Sequence, residues 1–138
     1  MGESDNVEVV RSLYELLDRR DIDAYMERFA DDVVWIEPEG SEFGGTYHGK
    51  ETVRELMTST VAEWWEEFHV DIDRFIDAGD TVVAIGTERG VYRDTGAEMA
   101  AKAAHVYDLE DGKVVRMESF VDSAKMQAAV NADTTELD

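Results

Sequence analysis

The sequence predicts an α+β fold in which helices pack on one face of a curved antiparallel sheet. Three observations carry that expectation. Apolar residues in the N-terminal part recur at i, i+3, i+4 and i+7, the spacing of one helix face. From Phe68 onward the period falls to two, as in strands with one buried side. Short turn signals separate the strands, Ala78-Gly79-Asp80, Asp94-Thr95-Gly96 and Glu110-Asp111-Gly112, and fold them into a meander.

A first helix is expected over 7–18, where Val10, Leu13, Tyr14 and Leu17 form one stripe. Asp5 and Glu8 have capping-box spacing, with Asp in place of Ser or Thr, and Arg19-Arg20 suits the C-terminal end. Asp21 can cap a short second helix with the stripe Ile22, Tyr25, Met26 and Phe29. Asp31-Asp32 reads as a turn, and Val33-Val34-Trp35-Ile36 as a short strand that Pro38 ends. Residues 39–49 contain four glycines and read as a loop with a brief strand over 46–48. A third helix is expected over 50–64, with Val53, Leu56, Met57 and Trp64 on one face. Four strands follow, from Phe68 and then over 81–92, 98–109 and 113–121. Asp122 or Ser123 can cap a last helix that reaches Val130. One domain is expected over 1–138, with its folded core at about 6–130 and a polar C-terminal tail.

Lys and Arg total 13 against 33 Asp and Glu, which gives a net charge of −20. Nucleic acid and anionic membrane are poor partners for such a surface, because binding phosphates needs a basic patch. The acidity is dispersed and reads as the adaptation of a halophile to a salty cytoplasm, where screening relieves self-repulsion. Three Trp, five Tyr and five Phe are enough to fill a core, which a disordered acidic tail would lack. With no cysteine there are no disulfides, thiolate metal sites or thiol nucleophiles. His48, His69 and His105 form no metal motif, and no GxGxxG, P-loop or GxSxG elbow is present, so neither metal nor cofactor is expected. No apolar run is long enough for a membrane span and the N-terminus lacks the features of a signal peptide, so a cytoplasmic protein is expected.

Two stretches carry a resemblance. The segment VVRSLYELLDRRDIDAYMERFADDVVWIEPEGS, with its FADD step and an acidic residue before proline, resembles the N-terminal half of ketosteroid isomerases. HVYDLEDGKVVRMESFVD is similar to the last hairpin and helix cap of SnoaL-like polyketide cyclases. Both belong to the NTF2-like superfamily, and the likeness runs over roughly residues 6 to 130. It implies the NTF2-like cone, a curved antiparallel sheet with N-terminal helices on its concave face, and a homodimer formed through the sheet. For function it implies a carboxylate base facing an oxyanion hole made by a phenol and a protonated acid. Residue by residue, the base falls on Glu37, the phenol on Leu13 with Tyr14 next along the helix, and the acid on Ala104 beside His105. Both oxyanion positions are therefore apolar in this chain.

Four residues are candidates for catalysis: Glu37, Lys102, His105 and Tyr14. Glu37 in an apolar cavity would have its pKa raised toward neutrality. In MAAKAAHVY, Lys102, Ala104 and Val106 share one strand face, and Ala103, His105 and Tyr107 the other. The resemblance turns the Lys102 face into the cavity, whereas the apolar pattern favours the His105 face. His105 has the reference pKa of a general acid or base. The expected lining is Leu13, Met26, Phe29, Trp35, Phe43, Met57, Trp64, Ala104, Val106, Met117 and Ser119. Trp64 and Trp65 are expected to diverge, since adjacent positions of a helix do not share a face. These residues suit a hydrophobic small molecule as partner. The reading is a cofactor-free enzyme moving a proton on a hydrophobic carbonyl or enol compound, with a non-catalytic small-molecule or protein binding module as the alternative. Epoxide hydrolysis on the same fold would need an Asp-Arg-Asp set that the sequence does not display.

Overall fold

The computed structural model describes residues 2–41 and 43–132. The chain runs as α1 (Gly2–Asp18), α2 (Ile22–Met26), β1 (Phe29–Glu37), β2 (Gly45–His48), α3 (Lys50–Glu55), a π-helical turn (Leu56–Thr60), α4 (Val61–Trp64), β3 (Trp65–Ala78), β4 (Thr81–Tyr92), β5 (Glu98–Glu110), β6 (Lys113–Val121) and α5 (Ser123–Val130). The six strands form one curved sheet in the order β2-β1-β6-β5-β4-β3. The fold is α+β, as expected, with the N-terminal helices against the sheet. One pairing departs from an antiparallel sheet: β1 lies parallel to β6, with Trp35 opposite Met117.

Local differences from the expected elements have physical causes. Helix α1 starts at Gly2, so Asp5 lies inside its opening turns, where an acidic residue complements the positive end of the helix dipole. Asp21 does cap α2, accepting a hydrogen bond from the Ala24 amide at 3.2 Å. Phe29 is not part of the α2 stripe; it begins β1. Asp31-Asp32 is not a turn but a bulge, since the β1–β6 register shifts between Phe29 and Val34. The expected third helix is three pieces, α3, the π turn and α4. β3 begins at Trp65, and this reorients the two tryptophans. Trp64 ends a helix and Trp65 opens a strand, so both join one apolar cluster with Tyr92, Met99 and Met126. The polar tail falls largely at residues 133–138, outside the described residues.

Curvature comes from irregular pairing. The β3–β4 register shifts at Trp65/Glu67 and again at Ile72/Arg74. Gly86 lies opposite Ile72, and a Cβ there would overlap the backbone carbonyl of Asp71, so the strands approach this closely only over glycine. At the other end, the β5–β6 hairpin turns through Asp111 (φ 52°) and Gly112 (φ 76°), the left-handed pair that matches strand twist. The main core lies between α1, α2 and the sheet, around Val10, Leu13, Tyr25, Phe29, Val33, Val82, Val114 and Met117.

Candidate functional site

Strand alternation decides which side chains enter the concavity. Along β5, Ala101, Ala103, His105, Tyr107 and Leu109 are buried, and the residues between them are less so. The apolar pattern therefore gives the correct face of this strand. Lys102 is exposed on the outer face, and its backbone carbonyl accepts from the Asp122 amide. Ala104 and Val106 share that outer face. These three were expected inside; the one-residue offset in the resemblance reverses every side chain of the strand.

The same offset applies on α1. Leu13 is fully buried in the core, and Tyr14 instead reaches the cavity. Its hydroxyl lies 2.7 Å from His105 Nδ1 and 2.8 Å from the Tyr107 hydroxyl. On the far side, His105 Nε2 lies 2.8 Å from Glu88 Oε2. Glu88, His105 and Ser119 are the buried polar residues among the described ones. The β4–β5 register explains how Glu88 reaches His105. Glu88 pairs with Ala101 and His105 with Ala84, and the intervening row is Gly86 and Ala103. With no bulk in that row, the carboxyl can lean across it.

Glu37 is the last residue of β1. The β1–β6 register pairs Ile36 with Glu118, which brings Glu37 level with Ser119, and Ser119 in turn pairs with His105. One row of the concave face thus carries a carboxyl, a hydroxyl and an imidazole from three adjacent strands. The Trp35 indole donates to Glu37 Oε2 at 2.6 Å. Burial pushes the Glu37 carboxyl up from 4.5 to about 7, and the negative field of Glu88 adds to this, while the Trp35 hydrogen bond and His105 oppose it. Burial also holds the Tyr14, Tyr25 and Tyr107 hydroxyls well above their usual range, so all three are phenols near neutral pH.

These groups line one cavity of about 80 Å³. Its apolar wall includes Tyr25, Trp35, Phe43, Leu56, Met57, Phe68, Val70, Met117 and Met126. Of the residues named from the sequence, Trp35, Phe43, Met57, Met117 and Ser119 are among its lining. Met26 and Phe29 are core residues, and Trp64 stands behind Phe43 with their rings perpendicular at 5.9 Å. The Ser119 Oγ is buried without a hydrogen-bond partner among the described residues. The loop after Pro38 folds over the cavity on its own hydrogen bonds. Ser41 and Gly44 close successive turns, the Tyr47 hydroxyl donates to the Phe43 carbonyl at 2.6 Å, and Gln127 donates to the Gly40 carbonyl. His48 is exposed on β2 and His69 half-buried on β3, both outside the cavity lining.

Glu88 and Tyr107 were not singled out by the sequence. In β4 the inward set is Val82, Ala84, Gly86, Glu88, Gly90 and Tyr92, and the outward set Thr81, Val83, Ile85, Thr87, Arg89 and Val91. Neither set is clearly the more apolar, so alternation does not place Glu88 on either face. Tyr107 shares its face with His105 and becomes legible once that face is chosen.

A curved sheet with helices across its mouth and a buried acid in an apolar pocket is the architecture of the NTF2-like superfamily. The chain belongs to the SnoaL-like domain family, whose profile matches residues 10–117. An NTF2-like protein of unknown function from Burkholderia pseudomallei superposes with a TM-score of 0.85 at 32% identity, covering 93% of this chain and 98% of the other. An NTF2-like protein from Burkholderia thailandensis gives 0.85 at 31%, covering 91% and 97%. TerC, co-crystallised with polyporic acid, gives 0.84 at 27%, covering 93% and 99%. A search of curated proteins returned no match. Among the described residues, no helix is long and apolar enough to cross a membrane.

Proposed function

We propose that this chain is a cofactor-free enzyme that moves a proton on a hydrophobic carbonyl or enol compound, as isomerases, cyclases and dehydratases do. The observation that carries the proposal is the Glu37 carboxyl, raised to about 7 in an apolar cavity that also holds three phenols and an imidazole. A base with a pKa near the working pH is half ionised and still strong enough to take a proton from carbon. Glu37 would take the proton next to a carbonyl and return it at another atom. Meanwhile Tyr14 or His105 would meet the oxygen on which negative charge develops. Ser119 offers that ligand an unused hydroxyl. Lys102 has no part, because it faces outward.

The cavity also limits the ligand. About 80 Å³ is far below the roughly 300–1,000 Å³ of pockets for drug-sized molecules. A single ring or short chain fits it as it stands. The likeness to TerC, which was crystallised with polyporic acid, supports small-molecule binding in general terms.

The test is hydrogen–deuterium exchange at the α-carbon of monocyclic 1,3-diketones and enones, followed by NMR. The enzyme should accelerate exchange on at least one of them, and Glu37→Gln should lower the rate by about 10²–10⁴, the usual contribution of a positioned acid or base. Saturable binding without exchange would favour the second reading, a non-catalytic binding module. One observation favours that reading: Tyr14, Tyr107, His105 and Glu88 already satisfy one another.

The proposal includes a homodimer through the outer sheet face, where Phe120 is 52% exposed beside Ala104 and Ile76 is 41% exposed. Sedimentation in high salt should give a dimer, and Phe120→Asp a monomer.

A further inference from the structure

Four side chains form a continuous chain of hydrogen bonds with three contacts: Glu88 to His105, His105 to Tyr14, and Tyr14 to Tyr107. Counting protons along it decides what the cavity presents. A carboxylate can only accept. With Glu88 ionised, His105 Nε2 must therefore carry a hydrogen and donate it. In neutral His105 the Nδ1 is then bare and accepts the Tyr14 O–H. The Tyr14 oxygen in turn accepts the Tyr107 O–H. Three protons serve three contacts, all pointing toward Glu88, and neither phenol has a hydrogen to offer a ligand. One added proton changes the count. On Nδ1 it donates to the Tyr14 oxygen, and four protons then serve three contacts. If the proton is placed on Glu88 Oε2 instead and donated to Nε2, Nδ1 again carries a hydrogen and the count is the same. Either way one phenol O–H is released to the cavity.

We propose that Glu88 is a positioning residue that locks His105 as the Nε2–H tautomer, so that the two phenols point inward in the resting site and release an O–H to a ligand only when the chain has taken up one proton. The ligand chemistry this fits is an oxygen bearing negative charge, such as an enolate, because its charge balances the proton that frees the donor. The groups facing His105 are Glu88 from β4, Tyr14 from α1, Tyr107 from its own strand, Ser119 from β6 and Glu37 from β1; β3 contributes the uncharged Phe68 and Val70. Ser119 is outside the count, because its hydroxyl has no partner among the described residues. The ligand half of this inference rests on the cavity being a small-molecule site, as proposed above. The tautomer half does not, and it can fail while proton exchange by Glu37 stands.

The test is long-range ¹H–¹⁵N NMR of the imidazoles, in a His48→Gln/His69→Gln background so that only His105 is seen. Neutral His105 should show a protonated Nε2 and a bare Nδ1. Glu88→Gln keeps the size of the side chain and removes the charge that enforces the tautomer. The Nδ1–H form should then rise by about tenfold, the effect of losing one charge-assisted preference. A resting Nδ1–H tautomer in the unsubstituted site would overturn the proposal without any Glu88 variant having to fold. So would a Glu88→Gln spectrum unchanged from the parent. Tyr107→Phe should leave the tautomer as it is, because the Glu88 contact is intact; a tautomer that follows Tyr107 would place control at the wrong end of the chain and overturn the assignment to Glu88.

Discussion

Replacing Glu37 by glutamine should stabilise the protein above neutral pH and leave its stability in acid nearly unchanged. The carboxyl rises from 4.5 to about 7 on folding because its ionised form loses water inside the cavity. Between those two values the folded state holds a proton that the unfolded state releases. Stability therefore falls as pH rises through this window, and the whole penalty is present above it. A climb of about 2.5 pH units, at about 1.36 kcal/mol each, amounts to about 3 kcal/mol. Water admitted at the cavity mouth brings this toward about 2 kcal/mol. Glutamine carries no charge to desolvate, and its carbonyl oxygen can still accept the Trp35 indole hydrogen. The assay is urea unfolding of both proteins at about pH 4.5 and about pH 9 in the same salt. Acidic groups away from the cavity titrate alike in the two proteins, so they cancel in the difference. The difference should be near zero in acid and reach about 2–3 kcal/mol in favour of Glu37→Gln in alkali. A difference that does not change with pH, or one that favours Glu37 in alkali, would refute the desolvation argument. A gain in stability together with a loss of exchange activity would identify the acid as a residue kept for function.

Three further outcomes are expected. Trp35→Phe removes the donor that holds the Glu37 carboxylate down, so the carboxyl should titrate higher than about 7, which ¹³C NMR of the labelled side chain reads directly. Gly86→Ala drives a methyl group into the Asp71 carbonyl and should lower stability by about 1–3 kcal/mol in thermal or urea unfolding, with Gly112→Ala acting instead through its turn geometry. With a net charge of −20, the melting temperature should rise with KCl from low salt; a flat response would remove the argument for adaptation to a salty cytoplasm.

The fold was legible because its signals are local. The Val10, Leu13, Leu17 stripe, the Asp21 cap and the three glycine-bearing turns each act over a few residues. Strand faces were harder to read. On β5 the apolar set Ala101, Ala103, Tyr107 and Leu109 marked the inside, while the resemblance, offset by one residue, turned Lys102 inward. A slip of one residue is fatal in a strand of period two, and nearly as serious on α1, where it exchanged Leu13 for Tyr14. Glu37 was singled out because the resemblance sets an acidic residue before the lone proline. Glu88 was not, since nothing within its own strand distinguishes the buried file, and its partner lies seventeen residues away across a gap left by Gly86 and Ala103. The pairing of β1 with β6 joins the two ends of the chain and has no local signature at all.

The π turn at Leu56–Thr60 has a consequence of another kind. Leu56 and Met57, at its start, form part of the cavity wall. A π turn holds one residue more than the α-helical path it replaces. Removing a single exposed residue, such as Thr58, would restore ordinary winding and keep α4 in phase with α3, because the π turn had absorbed that residue; a further residue added there at ordinary winding would instead carry everything after it about 100° round the helix axis. Trp64 and Trp65, which back the far side of the wall, would swing with it. The shape of this pocket is therefore adjustable by chain length as well as by residue type. One-residue insertions at this turn are a route to altered ligand preference that leaves Glu37, His105 and the sheet untouched.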